Sequence, residues 1–238
     1  TRWSTFAEGL ADRLNTHCWN GRFYTHFKKI TPVEIPGVDE AAQLSFSNPM
    51  NINRGVTHLE MARSILREYQ ERRNQSGAFA EWFSIDPAFP DGAFGDEKLV
   101  AGAYCTGGLL PLVGGELARA YLENGQPERA ISIYRGLFET DMALACAPFV
   151  ATGYAYALAA AGETDEALMQ VRWLHSRNMF SKLSLSLYRE LALEKDMIVQ
   201  GRKAQDVLEK TFPGDFGVKW AGGMMALNTG ALDEAKRV

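Results

Sequence analysis

Five carboxyl groups lie in or beside a glycine-rich stretch of the sequence, and carboxyl groups are common general acids and bases. They are Asp86, Asp91, Asp96, Glu97 and Glu116. Glu116 is the first catalytic candidate, because the sequence predicts that it begins a helix, whose dipole stabilises an ionised carboxylate and suits a base. Asp86 is the second candidate. Two other interpretations stay open: a favourable charge in a first helical turn for Glu116, and a turn-forming Asp-Pro for Asp86.

Several side chains near these carboxyl groups could bind a ligand. Aromatic rings stack on the apolar faces of sugars, and amide, guanidinium and carboxylate groups hydrogen-bond to hydroxyl groups. The candidate binding residues are Trp82, Tyr104, Asn53, Arg54, Asp91 and Asp96. The aromatic residues could equally belong to the core. Arg54 could instead satisfy loop carbonyls, and the two aspartates could be turn or helix-start charges.

The segment from Gly102 to Ala130 must position these groups. Its first half is rich in glycine, which allows tight turns and close backbone approach. Its second half predicts a helix that ends at Gly125 and a following helix that begins near Pro127, because glycine favours a helix stop and proline fits a first helical turn. The segment therefore predicts a helical hairpin entered through a polar turn.

The N-terminal part of the chain shows weaker signals. Ser4 can cap a helix whose apolar residues recur every four positions and which ends near Cys18. The Asn20-Gly21 pair predicts a turn of a β-ribbon or loop. A short helix is expected from Asp39 and should end before Pro49, because the residue before proline disfavours the α conformation.

A longer helix and a long loop follow. Thr57 and Glu60 match a capping box in front of an apolar run, and the helix should end at Gly77 with a charged, solvated tail. Residues 78–102 then form a loop rich in aromatic residues, glycine, proline and acidic residues. Loops of this length are often functional in compact domains.

A glycine followed five positions later by alanine occurs three times in the second half of the chain. The pairs are Gly125 and Ala130, Gly162 and Ala167, and Gly230 and Ala235, and the glycines lie 37 and 68 residues apart. The second interval is twice 34, a period typical of helix–turn–helix repeats. The unit between, from Tyr188 to Leu208, lacks glycine at the expected turn. We expect a single all-α domain over residues 1–238, with a ribbon, capped helix and long loop in 1–101 and repeat-like helical hairpins in 102–238.

Two arrangements of helical hairpins suit this pattern. An α/α toroid closes around a pocket where the connecting loops meet. A tetratricopeptide-like solenoid stays open and binds peptides on its concave face. The loop that contains Trp82 and the asparagine-rich turn from Asn48 to Asn53 favour the toroid, because a solenoid has short, regular turns.

The stretches DEAAQLSFSNPMNINRGVTHLEMARSIL and SIDPAFPDGAFGDEKLVAGAYCTGGLLPLVGGELARAYLENG resemble the later part of six-hairpin glycosidase domains, as found in glycogen-debranching-type glucosidases and neutral invertases. The resemblance covers about Asp39 to Glu139. It implies part of an α/α toroid that processes a saccharide with two carboxyl groups and no cofactor. The sequence has Leu110 and Pro111 where that family has Trp-Pro, and Cys105 and Thr106 replace its usual pair before the glycine.

Composition excludes several other classes of function. The net charge of −4 and the pI near 5.7 make nucleic acid an unexpected partner. No apolar run is long enough to span a membrane, so we expect a soluble protein. The three cysteines have no metal or disulfide spacing and slightly favour the cytoplasm, and the four histidines have no ligand spacing, so no metal site is expected. Because the chain begins at Thr1 and stops inside a predicted helix, we expect a processed chain or a fragment.

These observations lead to one main hypothesis and two alternatives. The main one is a carbohydrate-processing protein, resembling a glycoside hydrolase, with a pocket floored by residues 82–116. The first alternative is a non-enzymatic helical-repeat adaptor that binds a protein partner through residues 115–238. The second is a toroid that has lost its catalytic carboxyl groups and keeps only sugar binding or a scaffolding role.

Overall fold

The computed structural model describes residues 2–31, 34–140 and 147–231. The chain is about 62% helical with almost no strand, which confirms the all-α prediction. Its contacts divide it into two compact units, residues 1–144 and 145–238. The division between the two units lies after the hairpin of residues 111–140. The sequence predicted a single domain, whose two parts meet earlier, at residue 101. Within the described residues, no helix combines the length and apolar character that a membrane crossing requires.

Unit 1, residues 1–144, contains five described helices and one very short sheet. Its elements are α1 (Arg2–His17), β1 (Leu44–Ser45), α2 (Ser47–Asn53), α3 (Leu59–Ser76), β2 (Ile85–Asp86), a 3-10 turn (Tyr104–Thr106), α4 (Pro111–Glu123) and α5 (Pro127–Thr140). The strands pair antiparallel, with Leu44 opposite Asp86 and Ser45 opposite Ile85. This pairing ties the long loop to the segment before α2.

The N-terminal predictions are partly confirmed. The first helix forms and has no buried residue, but it begins at Arg2, so the prediction that Ser4 caps it is wrong. A single antiparallel bridge joins Trp19 to Tyr24 around the predicted turn. The prediction of a helix that ends before Pro49 is wrong, because α2 begins at Ser47 and includes Pro49 in its first turn. Proline fits there because the first N–H groups of a helix have no partner within the helix.

Helix α3 forms where the sequence predicts it. The prediction of its C-terminal end is confirmed, and the prediction of its N-terminal capping box is wrong. Gly77 adopts a left-handed conformation with φ 65° and ends the helix as expected. The predicted capping box is wrong, because His58 occupies the N-cap without a side-chain hydrogen bond, and Glu60 instead pairs with Arg63 at 2.9 Å. The charged tail is not wholly solvated, since Glu68 is buried.

The predicted hairpin of α4 and α5 is confirmed. Gly125 has φ 72° between the two helices, and Pro127 begins the second. The hairpin closes on Trp82. A Cβ atom at Gly114 would lie 2.5 Å from Trp82 Cε3, and one at Gly136 would lie 3.1 Å from its Cη2. Gly114 and Gly136 therefore leave space for the Trp82 side chain.

Unit 2, residues 145–238, is a set of helices of nearly equal length. They are α6 (Pro148–Ala160), α7 (Thr164–Ser176), α8 (Lys182–Glu194), α9 (Ile198–Thr211) and α10 (Phe216–Asn228). The first helices of successive pairs start at residues 148, 182 and 216, and the second helices at 164 and 198. Both series therefore repeat every 34 residues, which supports the predicted helical repeat.

The weak unit of the predicted repeat has an equivalent turn. Asp196 holds the left-handed conformation with φ 56° at the position where its neighbours have Gly162 and Gly230. Five residues later Gly201 is buried, as Ala167 is in the preceding unit. The repeat thus continues through a unit that has aspartate in place of the turn glycine and glycine in place of the alanine. Ala235, which ends the last predicted pair, and Cys146 lie outside the described residues.

Candidate functional site

Three of the predicted site residues meet at the end of α2. The Asn53 side-chain amide donates to Glu116 Oε2 at 2.6 Å and to the Glu116 backbone carbonyl at 2.8 Å. Arg54 donates to both carboxylate oxygens of Glu116, each at 3.3 Å. These residues are 62 and 63 positions apart in the chain. The carboxylate of Glu116 is therefore held by a neutral and a charged donor.

The position of Glu116 within its helix differs from the expectation. Helix α4 begins at Pro111, so Glu116 lies in the second turn, and no acidic residue lies in the first. The influence of the helix dipole falls off within the first turn. Hydrogen bonds from Asn53 and Arg54, and not the helix terminus, therefore hold the Glu116 carboxylate in place.

The second catalytic candidate, Asp86, lies in a different group. Its carboxylate accepts a hydrogen bond from Arg72 at 3.0 Å, and the same guanidinium also donates to the Asp86 carbonyl. Arg72 further donates to the Ala42 carbonyl at 2.9 Å and pairs with Glu68 at 3.4 Å. Among the hydrogen bonds of the described residues, Asp86 and Glu116 share no partner. The structure does not bring these two carboxylates together through common contacts.

The remaining candidates of the long loop are Asp91, Asp96 and Tyr104, which form hydrogen bonds with the protein. Asp91 accepts a hydrogen bond from the Ala101 amide at 2.7 Å, and Asp96 accepts one from the Lys98 amide at 2.9 Å. Tyr104 is exposed and has φ 36°, and its carbonyl accepts a bond from Ser84 Oγ at 2.7 Å. Their proposed contacts with a ligand stay predictions.

Trp82 reaches a cavity of about 310 Å³ in unit 1. Its side chain is only 4% exposed, since most of it packs between α4 and α5. The ring of Phe79 stands edge-on to it at 6.2 Å and is exposed. Other lining residues carry charge or a hydroxyl group. They are Arg73, Glu81, Glu128, Ser132, Arg135 and Glu139.

Glu81 is the buried acid of this cavity, with 5% of its surface exposed. Burial raises the pKa of its carboxyl group, against the opposing effects of the Arg73 and Arg129 guanidiniums and of a hydrogen bond with Tyr121. The Arg73 Nε atom lies 3.4 Å from Glu81 Oε2. The sequence did not single out this residue. The one feature of the sequence that could have indicated Glu81 is its position as a single charge inside the apolar run FAEWF.

Comparisons with models of protein families, with curated proteins and with solved structures gave no match. The resemblance to six-hairpin glycosidases therefore stays a hypothesis. In the part of the chain that the structure describes, no group of three or more His, Cys, Asp or Glu residues is placed to hold a metal ion.

Proposed function

We propose that unit 1 processes a carbohydrate, acting as a glycoside hydrolase on an oligosaccharide bound in the Trp82 cavity. The observation that carries this proposal is the make-up of that cavity, which combines aromatic rings, carboxyl groups and guanidinium groups. We propose with it that the α4–α5 hairpin of unit 1 is part of an α/α toroid. Saccharide sites use this combination of stacking and hydrogen bonding.

Glycoside hydrolysis needs one carboxyl group that donates a proton and another that is ionised. Glu81 suits the acid, because burial favours its protonated form. Glu128 and Glu139, which are exposed on α5 and line the same cavity, are the candidates for the ionised partner. We place Glu81 and its partner on α5 ahead of Glu116 and Asp86. Hydrogen bonds hold Glu116 to Asn53 and Arg54 and hold Asp86 to Arg72, so these two carboxylates belong to separate groups.

The remaining lining residues would bind the sugar. The exposed ring of Phe79 can stack on an apolar sugar face, and Arg73 and Arg135 can donate to hydroxyl groups. Glu116, Asn53 and Arg54 would then act at a distance, by fixing α2 against α4.

The test is release of reducing sugar from a panel of α- and β-linked oligosaccharides. Activity should fall about 100-fold or more in Glu81→Gln, as expected for loss of a general acid. Glu116→Gln is the matched control and should keep most of the activity. If Glu116→Gln abolishes activity and Glu81→Gln does not, the site lies at the originally predicted position. No release from any substrate, together with no saccharide-induced change in tryptophan fluorescence, would reject the carbohydrate function.

A second function is favoured by the 34-residue spacing in unit 2. Repeats of paired helices place equivalent residues side by side and build extended binding surfaces. We therefore also propose that unit 2 is a tetratricopeptide-like solenoid and acts as a helical-repeat adaptor for a polypeptide partner. Hydrogen exchange of the full chain, with peptides selected from a random-sequence display library, tests this proposal. Protection should appear on α6, α8 and α10, and its absence with every selected peptide would argue against an adaptor.

A further inference from the structure

Helices α6, α8 and α10 are the first helices of successive repeats in unit 2. Residues 34 positions apart occupy equivalent places, so Thr152, Ser186 and Trp220 correspond, as do Tyr156, Glu190 and Met224. Two positions before the first of these sets, the equivalent residues are buried in every helix. They are Val150, Ser184 and Val218. One side of each helix therefore faces its neighbours. On the other side Thr152 is buried, Ser186 is half-buried and Trp220 is exposed, so exposure increases from α6 to α10.

These three helices are also neighbours in space. The Tyr156 hydroxyl group on α6 donates to the Leu183 carbonyl on α8 at 3.2 Å. Leu185 of α8 and Val218 of α10 belong to one buried cluster, and Lys182 forms an ion pair with Asp215. The exposed residues of α6, α8 and α10 thus lie on neighbouring helices, and we call the surface that they form the first-helix face.

The two edges of this face are apolar. On α6, Phe149 is 74% exposed. On α10, Trp220 is 58% exposed and stacks on Phe216 with ring centroids 6.3 Å apart and planes at 19°. Met224 and Leu227 continue this stripe along the helix and are also exposed. Exposed aromatic residues of this kind supply much of the binding energy at protein interfaces.

The middle helix of the face, α8, exposes Leu183 in its first turn and two acidic residues near its end. Glu190 and Glu194 are exposed on α8, one helical turn apart. Glu190 Oε1 accepts a hydrogen bond from the buried Arg189, whose guanidinium also donates to Gln205. Glu194 Oε1 accepts one from Thr164. Lys182, on the same helix, is already paired with Asp215. The face therefore presents two carboxylates on α8, the helix that lies between those of Phe149 and Trp220.

We propose that the first-helix face binds a peptide segment in which a lysine or arginine lies between large apolar side chains. The basic residue would pair with Glu190 and Glu194, and the apolar residues would pack on Phe149 and on the Trp220 stripe. Charge complementarity sets the choice of partner, because a neutral apolar segment would leave the two carboxylates desolvated. This inference rests on the adaptor function proposed for unit 2.

The test uses the full chain and three fluorescent synthetic peptides. One has a lysine between tryptophan and leucine residues, the second replaces the lysine with glutamate, and the third replaces the apolar residues with serine. The first should bind about 10-fold more tightly than either other peptide. Its affinity should fall about 10-fold in the Glu190→Gln, Glu194→Gln double variant and lose much of its salt dependence. Trp220→Ala should weaken it further, whereas Met169→Ser, an exposed change on α7, should leave it unchanged.

Each other outcome has a distinct meaning. Equal binding of the lysine and glutamate peptides would overturn the charge requirement and leave the adaptor function in place. If no library peptide protects α6, α8 and α10 from exchange, the adaptor function itself fails. Concentration-dependent self-association that Trp220→Ala abolishes, measured by analytical ultracentrifugation, would assign the face to a second copy of the chain and overturn the peptide proposal.

Discussion

The side-chain amide of Asn53 donates to Glu116 Oε2 at 2.6 Å and joins two residues that are 63 positions apart. The same amide also bonds the Glu116 carbonyl, so a single side chain holds both the backbone and the carboxylate of α4. Arg54 adds an ion pair from an exposed position. The end of α2 is therefore fixed to α4 mainly by a neutral residue.

Asn53→Ala should lower the free energy of unfolding by about 1–3 kcal/mol, because it removes two hydrogen bonds, one of them to a charged group. Arg54→Ala is the matched control and should cost less than about 1 kcal/mol, because exposed ion pairs contribute little. Urea denaturation of both variants measures the difference. A larger loss in Arg54→Ala would show that the ion pair dominates the contact.

Two adjacent glycines of α4 should respond oppositely to alanine. A Cβ atom at Gly114 would lie 2.5 Å from Trp82 Cε3, so Gly114→Ala should destabilise the fold by about 1–3 kcal/mol. Apart from the adjoining residues and backbone of α4 itself, no atom lies within 4 Å of a Cβ atom at Gly115, so Gly115→Ala should stabilise the fold by about 0.5–1 kcal/mol, since glycine is costly within a helix. Thermal unfolding of the two variants gives the sign directly. Equal effects would contradict the packing of Trp82 on Gly114.

The sequence predicts well those features that depend on neighbouring residues. Gly125 and Pro127 mark the turn of a hairpin because their backbone preferences are local, and the structure has the turn there. Pro49 shows the limit of such signals, since proline disfavours helix in the residue before it and also fits a first helical turn. The surrounding fold selects the second role.

The sequence does not reveal which charged residues are buried. Glu68 and Glu81 are both buried, yet one lies in a charged helix tail and the other in a loop. Burial depends on Arg72 and Arg73 and on helices distant in the sequence. The sequence singled out Asn53, Arg54 and Glu116, which the structure brings into contact, and did not single out Glu81; the proposed roles of the three residues at a ligand stay predictions.

The turn at Asp196 allows a test of the repeat. Its φ of 56° lies in the left-handed region, which glycine adopts more easily than aspartate. Asp196→Gly should raise the free energy of unfolding by up to about 1 kcal/mol, and Asp196→Val should lower it, because a β-branched residue disfavours this conformation. Urea denaturation compares the two variants with the parent. Lower stability in both would show that the aspartate side chain itself supports the turn.

The protonation of Glu81 should appear in the pH dependence of stability. Burial raises the pKa of Glu81 in the folded protein above its ordinary value of 4.5, so the folded state retains a proton that the unfolded state has released. The stability contributed by this group is complete below pH 4.5 and is lost as the pH rises toward the raised pKa. Glu81→Gln cannot titrate, and its stability relative to the parent should therefore increase across that range and then level off. Ser132→Ala, an exposed change in the same cavity at a residue that does not titrate, should show no such increase. If the stability of Glu81→Gln relative to the parent instead falls as the pH rises, Arg73 holds the Glu81 carboxylate ionised. Glu81 would then be unsuited to act as the acid.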